Sequence, residues 1–110
     1  MSNHELIELR IKYPIKDIKT NDDTILASFV DCNGNEHRFD VEGFYLGFFF
    51  NESYKEDGTH KNLILEQPVS FDTNNGDHSL VIRDAKDRFF YFDSYGNYER
   101  AIDSYGQEIF

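Results

Sequence analysis

Two copies of Asp-Ser-Tyr-Gly, Asp93–Gly96 and Asp103–Gly106, stand ten residues apart near the end of this 110-residue chain. Aspartates at fixed spacing beside glycine could ligate a cation, shuttle a proton or close a turn. The turn needs no further residues. Asp accepts a backbone N–H two positions on, and Gly supplies a positive φ. Asp31-Cys-Asn-Gly34 repeats the pattern, and Asp84-Ala-Lys-Asp87 repeats it with an Asp in the last place, where the left-handed region is tolerated. Metal chemistry finds less support. His4, His37, His60, His78 and Cys32 show no ligand spacing, and zinc needs several converging N or S donors. Asp72, Asn74 and Asp77 in DTNNGD lack the correctly placed Gly and the distal Glu of a calcium loop. No phosphate-binding glycine loop is present, so no cofactor is expected. With 21 acidic residues, some carboxylates must fall close together, and a paired-carboxylate hydrolase is not indicated.

Thiol catalysis has one foothold. The stretch HSLVIRDAKDRFFYFDSYG resembles the His-strand-turn-strand-Asp segment of ubiquitin-like-protein peptidases and related papain-fold enzymes. That resemblance makes His78 and Asp93 a polar pair, and an enzyme or ligand-binding β domain built on them is the alternative reading. Ser79 stands where that family has an aromatic residue, and no Cys follows Asp93. Cys32 precedes His78, but it falls in a hairpin turn beside Asp31, which disfavours the thiolate. The spacing of the turn-starting Asp residues is also loosely similar to the tyrosine–aspartate repeats of large bacterial secreted shells.

The elements that must carry these residues are strands. Ile7, Leu9, Ile11 and Tyr13 alternate with Glu8, Arg10 and Lys12 up to Pro14, the period of a half-buried strand. TILASFVDCNGNEHRFDV reads as a hairpin with two competing registers. A three-residue loop, Cys32-Asn33-Gly34, pairs Asp31 with Asn35 and puts Ile25, Ala27 and Phe29 on the face of His37, Phe39 and Val41. Leu26, Ser28 and Val30 then point out beside Glu36, Arg38 and Asp40. This register gathers the charges on one face and is preferred to a two-residue Asn33-Gly34 turn. Gly43–Phe50 is an apolar run expected to be buried on both faces. Residues 51–62 read as a polar loop, Leu63–Leu65 as a strand ending near Pro68, residues 72–77 as a turn, and Leu80–Ile82 with Phe89–Phe92 as a final hairpin. Residues 97–106 suit a strand, with a short helix capped by Asn97 and Gly106 as the alternative.

The expected fold is all-β, antiparallel hairpins forming one sandwich or partly open barrel over residues 1–110, or α+β if the C-terminal segment is helical. Aromatics make up 16% of the chain, which argues against disorder. The start, MSNHELIELR, has no apolar signal core, and no apolar run reaches membrane-spanning length, so the expectation is a cytoplasmic protein.

The net charge is −10, although residues 1–19 alone sum to +1. Such a field opposes binding to nucleic acid and to anionic membranes and favours a basic protein partner. Small size, acidity, many aromatics and no catalytic set resemble bacterial toxin-immunity proteins. The resemblance implies a non-enzymatic inhibitor, monomeric when free, that covers the cationic substrate cleft of a toxin such as a nuclease. The expected contacts are Asp93, Tyr95, Tyr98, Glu99, Asp103, Tyr105 and Glu108 in the tail, and Glu52, Tyr54, Glu56 and Asp57 in the polar loop.

Overall fold

A computed structural model describes residues 5–20, 25–50, 59–73 and 78–109. These form eleven strands and no helix: β1 (Glu5–Tyr13), β2 (Lys16–Thr20), β3 (Ala27–Val30), β4 (Asn35–Phe39), β5 (Tyr45–Phe50), β6 (Thr59–Gln67), β7 (Ser70–Asp72), β8 (His78–Arg83), β9 (Phe89–Asp93), β10 (Tyr98–Ile102) and β11 (Glu108–Ile109). All pairings are antiparallel. The sheets run β2-β3-β4-β5, β11-β10-β9-β8-β7, and a two-stranded ribbon, β1-β6. The fold is therefore all-β, and residues 98–102 are a strand rather than a helix. No helix among the described residues is long and apolar enough to cross a membrane.

The architecture repeats itself. Each half is a long ribbon strand, a proline corner and a meander. Phe39-Asp-Val-Glu-Gly-Phe-Tyr45 and Phe92-Asp-Ser-Tyr-Gly-Asn-Tyr98 share F-D-x-x-G-x-Y at an interval of 53 residues. Asp31 and Asp84, the preceding turn starters, lie at the same interval. The contacts repeat too. The amide of Cys32 donates to the Lys12 carbonyl and that of Ala85 to the Glu66 carbonyl, both at 2.7 Å. The amide of Val69 donates to the Gly43 carbonyl at 2.9 Å, and that of Ile15 to the Gly96 carbonyl at 2.8 Å. Thus the first turn of each half docks on its own ribbon strand. The second turn docks on the corner of the other half.

This interlocking closes one core. Leu9, Ile11, Leu63 and Leu65 from the ribbon meet Phe29, Phe39, Leu80, Ile82, Phe90, Phe92 and Ala101 from the two meanders, all fully buried. The four phenylalanines carry much of it, at about 2–3 kcal/mol each for complete burial.

The hairpin at Asp31 has the three-residue loop. Phe29 pairs with His37 and Val30 with Glu36, and Gly34 has φ 86°. Three expectations are corrected. Ser28 and Val30 are buried, because β3 is an inner strand covered on both faces. The stretch Tyr45–Phe50 is an outer strand, so Leu46, Phe48 and Phe49 are exposed, as is Val41 in the preceding turn. Residues 59–62 belong to β6, because the full length of β1 offers them backbone partners, Tyr13 to Thr59 and Arg10 to Asn62.

Candidate functional site

The turns come first, since they hold most of the residues singled out in the sequence. Asp93 accepts the amides of Tyr95 and Asn97 on Oδ1, each at 2.9 Å. The Asp93 amide donates to the Asn97 carbonyl at 2.9 Å, and the Gly96 amide to the Asp93 carbonyl at 2.9 Å. Asp103 makes the same set with Tyr105, Gln107 and Gly106. So do Asp31 and Asp84 in their turns. A fifth copy, Asp40-Val-Glu-Gly43, also has it. Its Asp-x-x-Gly spacing is present in the sequence, obscured there by the apolar run that follows. The repeated motif is therefore a device for turning corners, and five of the 21 acidic side chains serve it.

The tail residues do not form one cluster. Tyr95 is 81% exposed and Tyr105 88% exposed, each at the third position of its turn. They bracket β10 from opposite ends, and a five-residue strand is about 17 Å long. Glu99 and Glu108 are exposed between them, with β11 the outermost strand of its sheet. Tyr98 turns inward, its ring 6.2 Å from that of Tyr13 and 5.7 Å from that of Phe92. Desolvation, then the neighbouring Tyr13 and Glu108, raise its pKa. Glu52, Tyr54, Glu56 and Asp57 lie outside the described residues.

His78 and Asp93 are partners in register across β8 and β9. Their side chains serve different neighbours. The imidazole Nε2 lies 3.0 Å from Glu99 Oε1 and the ring packs 4.8 Å from Tyr91, while Asp93 Oδ1 holds its own turn.

A polar chain that the sequence did not single out runs through the first half. His37 is 1% exposed. Its Nε2 lies 2.8 Å from Asp31 Oδ2, and its Nδ1 2.9 Å from the Tyr45 hydroxyl. A carboxylate only accepts, so Nε2 carries a hydrogen; in the neutral ring Nδ1 then accepts from Tyr45. Burial, then the Asp31 charge, push the Tyr45 phenol up to about 12, which keeps that proton in place. Both ring nitrogens are engaged, so the imidazole acts as a brace between the turn and β5. The hairpin register placed His37 inward, but inward histidine alone gives no indication of its two partners.

Beside this brace is a cleft of about 370 Å3 lined by Arg10, Ile11, Lys12, Asp31, Asn33, Asn35, His37 and Phe48. A second hollow of about 270 Å3 shares Arg10, His37 and Phe48 and adds Glu8, Tyr45 and Gly47. On the outer side of β5, the Arg38 guanidinium sits 4.2 Å above the Phe49 ring.

No family model, curated protein or solved structure matches this chain.

Proposed function

We propose that this chain is a binding protein that neutralises a basic protein by covering it, in the manner of a toxin-immunity inhibitor. The observation that carries this reading is the placing of Tyr95 and Tyr105, the two most exposed large hydrophobic side chains among the described residues, at the two ends of β10. Each stands on a turn closed by four hydrogen bonds. Tyrosine gives broad, rigid contact at low entropic cost, and little of that cost remains when the backbone beneath it is already fixed. Glu99 and Glu108 between them supply negative charge, and the overall −10 would speed capture of a cation-rich surface.

The partner is a protein whose functional surface is basic, with a nuclease-like substrate cleft as the best chemical fit. The test is kinetic. Purified chain is titrated against the product of the adjacent gene and against basic nuclease domains, at low and at high salt. The reading predicts one tight partner whose association rate falls as salt rises. Absence of any such partner, or binding indifferent to salt, overturns it.

A further inference from the structure

We propose that the cleft beside His37 binds a small organic anion: an acid group on a flat apolar body. This is separate from the protein-binding strip on β10 and β11.

The two halves of the fold supply the argument. In the second half, Asp84 is bound by Arg88, whose Nε and Nη2 lie 2.9 and 2.6 Å from Asp84 Oδ2. The same Nη2 donates to the Ile64 carbonyl on β6 at 3.2 Å, so the guanidinium fills the space between the turn and its ribbon strand. In the first half the place of Arg88 is taken by Asn35, and that of Phe90 by His37, which binds the turn aspartate from within the sheet. The space that Arg88 fills is thereby left open, between β1 and the Asp31 turn. Its volume, about 370 Å3, lies within the range of small-molecule sites.

The chemistry of the walls is cationic. Lys12 and Arg10 line the cleft, with Asn33 and Asn35 beside them. The one carboxylate among the described lining residues, Asp31, already has both oxygens in use: Oδ1 takes the backbone amides of Asn33 and Asn35, and Oδ2 takes His37. Glu8 belongs to the adjoining hollow. A ligand that complements these walls brings acceptors and negative charge. Phe48 gives it an aromatic side, 58% exposed and open to stacking. Carboxylates more than a Debye length away, about 8 Å at physiological salt, oppose this weakly. The segment that supplies the cations, residues 1–19, sums to +1.

The experiment titrates the full chain with benzoate, inorganic phosphate and benzylamine, following amide and side-chain resonances of residues 10–12, 33–37 and 48. Saturable shifts at these residues with benzoate, and none with benzylamine, are expected. Phosphate alone shifting them means the apolar walls play no part, which overturns the organic half of the proposal. Lys12→Gln should weaken benzoate about tenfold without changing the fold, the loss of one charge-assisted contact. Asn35→Arg should fill the open space with a guanidinium, as Arg88 does in the second half, and abolish binding. No saturable shift with benzoate, or equal affinity in wild type and both variants, overturns the proposal.

Discussion

The carbonyl of Gly96 receives the amide of Ile15, and the glycine lies so close that a Cβ there would collide with the Ile15 backbone. The turn from the second half is pressed onto the proline corner of the first. Gly43 meets Val69 in the same way across the repeat. Both glycines have positive φ, 87° and 92°. Two separate demands therefore fall on one residue, and Gly106 separates them. It has φ 83° in an equivalent turn with nothing within 4 Å of its missing Cβ.

Gly96→Ala should cost about 3 kcal/mol or more, left-handed strain added to displaced backbone. Gly106→Ala should cost only the strain, about 1–2 kcal/mol. Urea unfolding of the two variants measures the difference. Equal losses would mean that the close approach at Ile15 contributes nothing to stability.

Asp84 has a fully buried side chain whose main charged partner is Arg88. Removing the guanidinium strands a carboxylate, though backbone amides of Lys86, Arg88 and Glu66 still reach it. Arg88→Met should therefore cost about 3 kcal/mol, the low end for breaking a buried pair. Arg88→Lys should recover part of the loss, because an ammonium cannot bridge Asp84 and the Ile64 carbonyl as a planar fork does. Full recovery by lysine in thermal unfolding would refute the bridging role.

The Tyr45 phenol is held up at about 12 by burial first and by Asp31 second, against an ordinary value of 10.0. The folded chain thus holds this proton more firmly than the unfolded chain does. Its share of stability is whole below pH 10 and is lost as pH climbs towards 12. Absorbance titration of the phenols should show a late component that Tyr45→Phe removes. The same variant should lose about 1 kcal/mol at neutral pH, the hydrogen bond to His37 Nδ1. A titration curve unchanged by the substitution would exclude the assignment.

The local rules were legible in the sequence. Alternation at Ile7–Tyr13 gave β1 its buried face, and Asp-x-x-Gly, with its Asp84–Asp87 variant, fixed four turns and the Asp31 register. These depend on residues a few positions apart. What escaped depends on distant neighbours. Gly43–Phe50 reads as a buried strand because an apolar run says nothing about whether another strand lies beside it. Ser28 is buried because of what covers β3, not because of its own chemistry. The shared F-D-x-x-G-x-Y is a weak sequence signal because the residues between its fixed positions differ wholly, Val-Glu against Ser-Tyr and Phe against Asn. The His37 brace and its cleft follow from that same divergence, an asparagine and a histidine where the other half has arginine and phenylalanine. Tyr95 and Tyr105 stand in solvent while Tyr98 turns inward, and a meander sends successive turns to opposite ends, so neighbours in the sequence are divided between the two ends of the strand.

That separation gives the final prediction its shape. If Tyr95 and Tyr105 contact a single basic partner, the interface must run the length of β10. Each alanine substitution should then weaken binding by about 2 kcal/mol, roughly thirtyfold, mostly through faster dissociation. Neither should move the unfolding midpoint by more than about 0.5 kcal/mol equivalent, since both rings stand in solvent. Glu99→Gln should act differently, slowing association and flattening its salt dependence while leaving dissociation nearly unchanged. Surface plasmon resonance on the three variants separates these effects. If only one tyrosine matters, the contact is confined to one end of the strand, and the strip between the two turns is not the binding surface.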